Sequence, residues 1–192
     1  MTFKITGETI YLRKTQESDI DIMAQAVDFL RGYSGPSENS KKYFWYRENK
    51  ANNLAVTSPL ENDSHGSFLL TICKISDDSV IGYHYLDYFP EKRVESRFSA
   101  IIPSARNGSF YKEAGILRHK FYFEGLQART AHMKLPLDRA HYLDTLYTST
   151  EREEEITDHG NWRWSTISSS DWSTWIAGQD IYRNQSYTLN WN

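Results

Sequence analysis

The stretch of residues 96–125 restricts the fold more than any other part of the chain, because it predicts a strand, a turn and a helix in succession. Apolar and other residues alternate up to position 102, which is the period of a half-buried strand. Pro103 then ends the strand, because proline has no N–H to donate to a ladder. The next segment carries an apolar face at helical spacing, formed by Phe110, Ala114, Leu117 and Phe121. Gly125 is a helix stop signal.

The turn of this unit spans residues 104–109 and contains two serines, an arginine, an asparagine and a glycine. The first N–H groups of a helix have no intrahelical partner, so a helix start is a natural binding site for anions, phosphates above all. We therefore expect the phosphate groups of a ligand to bind ahead of the helix that begins near Phe110.

Three consecutive strands are predicted before this unit. SFLLTICKI and VIGYHYLDYF flank an acidic turn at residues 76–79, and a second turn at 90–93 leads into the strand at 95–102. Consecutive strands joined by short turns pair antiparallel. The order is therefore strand, strand, strand, turn, helix.

The N-terminal part predicts a short strand at 9–13 and a helix. Ser18 is expected to cap this helix, which begins at Ile20 or Asp21 and ends near Gly32. Residues 41–50 predict a short helix with four consecutive aromatic side chains. These either line a cleft or partner surface or pack over the edge of the sheet.

The chain after Gly125 predicts a strand at 128–133 and a helix from Leu137 to about Tyr147. The charge run EREEE is expected in a loop or at a helix end, because five charges together cannot be buried. NWRWSTI and YTLNW predict strands, with a capped short helix in SSSDWSTWIAG between them. Five of the six tryptophans lie in this tail: Trp162, Trp164, Trp172, Trp175 and Trp191. They favour either a protein interface or core packing.

Composition restricts the class of protein. The 192 residues are expected to form a single domain, 1–192, and the net charge of −3 gives no argument for nucleic acid or an anionic membrane as partner. A single cysteine, Cys73, fits a reducing compartment, and neither a membrane span nor a signal-peptide core is recognisable, so we expect a cytoplasmic protein. The motifs of metal and nucleotide sites are missing from the sequence.

The segment PSARNGSFYKEA resembles the acyl-CoA loop of the GCN5-related N-acetyltransferases (GNATs). The pattern of that loop is Arg/Gln-x-x-Gly-x-Gly/Ala, often after a proline and before a Glu-Ala pair. Arg106 takes the first position, and residues 113–114 take the Glu-Ala pair. Ser109 and Tyr111 stand at the two glycine positions, and Gly108 lies one residue early.

Two further segments are similar to GNAT sequences. Residues 80–82, Val-Ile-Gly, resemble the hydrophobic-Ile-Gly start of the strand that follows the first long hairpin. Residues 11–13 with Asp19 resemble the opening of the branch that acetylates protein N-termini and ribosomal proteins, which reads Leu-x-Leu-Arg-x-x-x-x-x-Asp. The recognisable core spans 1–147, and the tryptophan-rich part at 148–192 is divergent.

The resemblance implies an α+β fold with a mixed, mostly antiparallel central sheet, flanking helices and strands splayed at the centre. It implies acetyl-CoA as a substrate and no metal. The residues that would bind the CoA thioester are Ile101, Ile102, Arg106, Asn107, Gly108, Ser109, Phe110 and Tyr111. The backbone amide of Ile102 would donate to the thioester carbonyl.

The resemblance also implies catalytic roles. Glu95 lies on the strand before the loop, where several GNATs place a general base, and Asp87 or His84 could serve instead. The helix after Pro136 would supply the acid for the departing thiolate, and Tyr142 and Tyr147 are the candidates.

Three functions remain open at this point. The first is acetyl transfer from acetyl-CoA to an amine of a protein or small molecule. The second is a GNAT-like domain without cofactor binding that serves as a structural or interaction subunit, as a homo- or hetero-oligomer through the tryptophan-rich tail. The third is an unrelated α+β binding module.

Overall fold

The computed structural model describes residues 3–30, 41, 66–106, 109–136, 153–157, 160–179 and 188–191. The strands are β1 (Phe3–Thr6), β2 (Ile10–Lys14), β3 (Gly66–Lys74), β4 (Val80–Phe89), β5 (Arg93–Ile101), β6 (Thr130–Pro136), β7 (Glu153–Thr157), β8 (Gly160–Ser168) and β9 (Thr188–Trp191). The helices are α1 (Ile20–Leu30), α2 (Phe110–Lys120) and α3 (Ser169–Ala177).

The strands that the structure describes form one nine-stranded sheet in the order β7-β8-β6-β5-β4-β3-β2-β1-β9. Among the described strands, β5 and β6 are the only parallel pair, and the other pairs are antiparallel. The predicted class, an α+β fold with a mostly antiparallel sheet and flanking helices, is confirmed. The predicted order of three strands, a turn and a helix is confirmed in β3, β4, β5 and α2.

The sheet has a core on each face. On one face α1 packs on the middle strands, and this core contains Ile20, Met23, Ala24, Leu69, Tyr83, Tyr85 and Ala100. The opposite face carries the larger core beneath α2, which includes Leu12, Leu70, Ile72, Leu86, Leu117 and Phe121. Strands β3 and β4 are buried on both faces, which is why their sequences contain long apolar runs.

The start of α1 differs from the prediction. Ser18 is not the cap: a 3₁₀ turn, Glu17–Asp19, precedes the helix, and the Asp19 carboxylate accepts the Gln16 N–H at 2.9 Å. Asp19 also pairs with both terminal nitrogens of Arg13, at 2.6 and 2.9 Å, and accepts the Thr71 hydroxyl at 2.8 Å. Ser18 lies inside the 3₁₀ turn, and the charge-assisted hydrogen bonds of the buried Asp19 carboxylate hold this turn against β2 and β3.

Strand β1 was not predicted, since four residues are too few for alternation to identify. Its turn into β2 is held by Glu113 of α2, whose carboxylate accepts the N–H groups of Glu8 at 2.6 Å and Thr9 at 3.0 Å. A Cβ on Gly7 would collide with that carboxylate. The Glu of the Glu-Ala pair therefore joins the helix to the N-terminal hairpin.

The charge run EREEE was wrongly expected in a loop or at a helix end. Its last three residues begin β7, which pairs with β8 and lies at one edge of the sheet. An edge strand accommodates charged residues because one of its sides has no partner strand. The strands predicted from NWRWSTI and YTLNW are confirmed as β8 and β9.

Helix α3 is confirmed, with Ser168 as its cap. The Ser168 hydroxyl accepts the Asp171 N–H at 3.1 Å, and the Asp171 carboxylate accepts the Ser168 N–H at 3.3 Å. Trp172 of this helix is buried and stacks on His119 with ring centroids 5.1 Å apart. At this position core packing, not an interface, explains the tryptophan. The predicted helices at 41–50 and at 137–147 lie outside the described residues, except for Lys41.

Candidate active site

Strands β5 and β6 part in the middle of the sheet. They pair in parallel only from Arg93 opposite Thr130 to Ser96 opposite Met133. Beyond that point β5 stays paired with β4 up to Ile101, while β6 stays paired with β8 up to Pro136. Each strand therefore keeps its outer neighbour and loses its inner one, which opens a wedge between them. The splayed centre that the GNAT resemblance implied is present.

A β-bulge lies where the wedge opens. Tyr85 of β4 faces Phe98, and the next residue, Leu86, faces Ser96, so Arg97 is an extra residue on β5. An extra residue bends its strand and increases the local twist. The bend falls directly after the last residue that pairs with β6, and it accounts for the separation of the two strands.

The backbone of β5 presents N–H groups to the wedge, but not the one predicted. The Ile102 N–H donates to the Ile81 carbonyl at 2.8 Å, so the role expected for this amide is wrong. Peptide groups alternate in direction along a strand. The N–H groups of Ser99 and Ile101 therefore point to the opposite edge, where the described part of the chain places no strand. They are the amides that could bind a carbonyl oxygen in the wedge.

The predicted anion site follows β5 directly. A 3₁₀ turn, Pro103–Ala105, leads out of the strand, and Arg106 folds back so that its Nε donates to the Ile101 carbonyl at 2.8 Å. Helix α2 then begins at Phe110, and its first backbone bond runs from the Glu113 N–H to the Ser109 carbonyl at 3.0 Å. The Ser109 side chain does not cap the helix. The helix start thus lacks the serine cap that would compete with a bound anion.

Tyr111 stands at the second glycine position of the acyl-CoA pattern and is 39 % exposed. Its side chain is therefore not buried inside the wedge. Phe110 is partly buried against the core beneath α2. Arg106 contacts Ile101 at the end of β5, Ser109 lies at the start of α2, and Asn107 and Gly108 lie outside the described residues. The elements present fit a diphosphate at the helix start and an extended arm in the wedge.

Glu95 lies in the paired part of β5, beside the wedge. Its carboxylate binds Arg93 and, at 2.7 Å, Arg97. Asp87, the alternative base, lies across from Glu95 on β4 and accepts Arg97 Nε at 2.8 Å and the Ser67 hydroxyl at 2.6 Å. Both carboxylates are thus ion-pair partners of arginine in the free protein.

The environment of Asp87 lowers the pKa of its carboxyl. Burial alone would raise this pKa, because the charged form loses its hydration. The hydrogen bonds from Ser67, Arg97 and Tyr85 stabilise the charged form more strongly, so the pKa lies below its ordinary value. Asp87 is therefore an anion at neutral pH.

A buried polar pair that sequence reasoning missed lies on the α2 side of the wedge. The Tyr122 hydroxyl contacts Nε2 of His84, and both side chains are almost fully buried. Burial raises the pKa of the Tyr122 phenol to about 12, against the opposing effects of Arg118 and a hydrogen bond with Ser96. His84 therefore holds the end of α2 rather than facing solvent as a base. Tyr122 lies in the π-helical turn Phe121–Gly125, and its partner is 38 residues away in the chain, so no local pattern in the sequence indicated the pair.

The architecture of the chain is the same as that of several solved structures. A nucleotide-linked sugar GNAT superposes with a TM-score of 0.64 at 13 % identity, covering 91 % of this chain and 94 % of that one. The chain has the GNAT fold. An acetyltransferase of the GNAT family from Bacillus anthracis superposes with a TM-score of 0.62 at 16 % identity, covering 87 % of this chain and 99 % of that one. The ribosomal-protein-S5-alanine acetyltransferase from Vibrio fischeri superposes with a TM-score of 0.63 at 11 % identity, covering 88 % of this chain and 98 % of that one.

Comparisons of the sequence add nothing to this assignment of the fold. No protein-family sequence profile matches the chain, and no curated protein sequence matches it. Within the described ranges, none of the helices has the length and apolar character needed to cross a membrane. The same residues contain no group of three His, Cys, Asp or Glu side chains placed to hold a metal ion. Tyr142 and Tyr147, the predicted acids, lie outside these ranges.

Proposed function

We propose that the protein is an N-acetyltransferase that uses acetyl-CoA to acetylate an amine of a protein or small molecule. The observation that carries the proposal is the parting of β5 and β6 after Ser96 and Met133, directly before a helix start without a side-chain cap. An extended ligand with a diphosphate at one end fits both features at once. GNAT-fold neighbours that are named as acetyltransferases add support.

The residues at the wedge have defined tasks in this reaction. The amine nitrogen forms a bond to the thioester carbonyl carbon, the C–S bond breaks, and its electron pair leaves with sulfur. Negative charge that develops on the carbonyl oxygen would be stabilised by the N–H groups of Ser99 and Ile101. Acetyl-CoA supplies the activated acyl group. Glu95 remains the proposed acceptor of the amine proton, and Tyr142 or Tyr147 the proposed donor to the thiolate.

Calorimetric titration with CoA and acetyl-CoA tests the proposal. We expect saturable binding by the wild-type protein and at least a ~10-fold weaker affinity for Ser109→Glu, because a carboxylate at the helix start repels phosphate. A glutamate at this position favours the helix itself, so the loss cannot be assigned to unfolding of α2. Ser173→Glu on α3 makes the same change of charge on an exposed serine and is the control.

Two results would contradict the proposal. The absence of heat and of a thermal shift with CoA at millimolar concentration would leave the second function, a GNAT-like structural or interaction subunit. Equal affinities of the wild-type protein and Ser109→Glu would show that CoA binds elsewhere.

A further inference from the structure

Five charged side chains form a cluster where β5 bulges on the α1 side of the sheet: Asp87, Glu91, Arg93, Glu95 and Arg97. Arg97 bridges two of the carboxylates: its Nε donates to Asp87 at 2.8 Å and its Nη2 pairs with Glu95 at 2.7 Å. Arg93 binds the second oxygen of Glu95. Arg93 also pairs with the Glu91 carboxylate at 2.9 Å, so the cluster contains three carboxylates and two guanidinium groups.

Arg97 is the most exposed member of the bridge that it forms with Asp87 and Glu95. The side chain of Arg97 is 40 % exposed, whereas the carboxylates of Asp87 and Glu95 are 7 % and 16 % exposed. Arg93 is intermediate, at 26 %. Arg97 is therefore more accessible to a ligand in solvent than Asp87 or Glu95.

The guanidinium of Arg97 is oriented in advance. Nε and Nη2 are held by the two carboxylates, and Nη1 has no hydrogen-bond partner among the residues that the structure describes. A guanidinium group is planar, so fixing two of its nitrogens fixes the direction of the third. Binding to such a group costs little conformational entropy, and its preferred partners are carboxylate and phosphate oxygens.

The position of Arg97 relates it to the proposed reaction. Arg97 is the bulge residue of β5, and the amides of Ser99 and Ile101 that point into the wedge follow it on the same strand. Tyr85, which donates to Asp87, belongs to the core that α1 covers, so the cluster lies on the face opposite α2. An acceptor from the α1 side and a CoA thioester held at the start of α2 would therefore meet at the β5 edge.

We propose that the acceptor carries an anionic oxygen group, a carboxylate or a phosphate, close to its amine, and that Arg97 binds this group. The transfer of the acyl group to that amine rests on the function proposed above, whereas the binding of the anion by Arg97 does not. Arg97 thus selects an anionic amine over a neutral or polycationic one.

Binding is measured first, by NMR titration of the Arg97 Nε–H signal. This signal is assigned by its absence from the spectrum of the Arg97→Lys variant. Glucosamine 6-phosphate against glucosamine probes a phosphate, and 4-aminobutyrate against butylamine probes a carboxylate. The anionic member of at least one pair is expected to shift the signal saturably at millimolar concentration, and its neutral or cationic partner is not. The pair that responds identifies the anion as phosphate or carboxylate.

Turnover is measured second, as release of the CoA thiol. The anionic member of the responding pair should have a kcat/KM at least ~10-fold above that of its partner, and Arg97→Met should bring this ratio to about 1 with unchanged CoA affinity. Arg129→Met removes an exposed arginine outside the cluster and should leave the ratio unchanged. The NMR result decides the proposal by itself if no acceptor in the panel is acetylated.

The proposal is overturned if neither anionic probe shifts the Arg97 signal. It is also overturned if spermidine or butylamine shifts the signal instead, because a cationic amine would then displace Arg97 from Asp87 and Glu95. A failure to bind CoA removes the acetyltransferase function but leaves the NMR result standing, so the two failures are distinguishable.

Discussion

Asp19 shows how much one buried carboxylate contributes to this fold. It joins β2, β3 and the start of α1 through Arg13, Thr71 and the Gln16 N–H. Burial would raise the pKa of Asp19, but the hydrogen bonds from these three partners lower it below the ordinary value. A carboxylate with a lowered pKa stabilises the folded state above its unfolded pKa of about 4 and loses this effect as the pH falls through its folded pKa.

Asp19→Asn is expected to lower the free energy of unfolding by roughly 2 kcal/mol at pH 7, because one buried ion pair loses its anion. Urea unfolding at pH 7, 4 and 3 measures the effect. The difference from the wild-type protein should be full at pH 7 and shrink below about pH 4. Asp21→Asn, on the same helix, removes an exposed carboxylate 3.4 Å from Lys41 and should change stability by less than about 1 kcal/mol. A constant difference at all three pH values would contradict this account.

Among the secondary-structure elements, the pairing of β4 with β5 depends on a single glycine, Gly82. Gly82 faces Ile101, and a Cβ at this position would collide with the carbonyl oxygen of Ala100. The close approach brings the end of β5 against β4 and leads to the bond from the Ile102 N–H to Ile81. The glycine of Val-Ile-Gly therefore sets the position of the β5 amides that face the wedge.

Gly82→Ala is expected to destabilise the protein by about 1–3 kcal/mol, because the strands must move apart to admit a methyl group. It should also weaken CoA binding, since Ile101 moves with the strand. Gly178→Ala is the matched control: its Cβ would meet the carbonyl oxygens of Trp175 and Thr174 at ordinary contact distances of 3.4 and 3.9 Å. Thermal unfolding and calorimetry measure both effects, and equal behaviour of the two variants would refute the role of Gly82.

At the scale of the whole molecule, the wedge predicts how fast successive backbone amides of β5 exchange their hydrogens with solvent. The amides of Ala100 and Ile102 face β4, whereas those of Ser99 and Ile101 face the opening. In residue-resolved hydrogen exchange of the free protein, Ser99 and Ile101 should therefore exchange faster than their neighbours. Added CoA should slow these two amides and the first amides of α2. Uniform protection along residues 98–102 in the free protein would show that the strands are closed.

Local patterns predicted most elements of the fold. Alternation located β3, β4, β5 and β8, and helical spacing located α2 with its buried Ala114 and Leu117. The splayed centre of the sheet was implied by the resemblance of residues 103–114 to the acyl-CoA loop of GNATs, not by the periodicity of the elements. Local patterns gave a wrong prediction for the EREEE run, because composition does not show that a strand lies at the edge of a sheet.

The site was less accessible from sequence than the fold. Glu95, Ile101, Arg106 and Ser109 were named, but the tasks of the side chains depend on partners distant in the chain. The Ile102 amide was assigned to the wedge, whereas pairing with Ile81 turns it towards β4.

The amino-acid sequence by itself determined the periodicity of the elements, the proline that ends β5 and the polar loop before α2, because each depends on residues a few positions apart. Only the tertiary structure decided that β5 and β6 part after Ser96, that Arg97 bridges Asp87 and Glu95, and that Tyr122 meets His84. These features depend on register between strands and on burial. Register and burial arise from the packing of the whole sheet, so no local pattern specifies them.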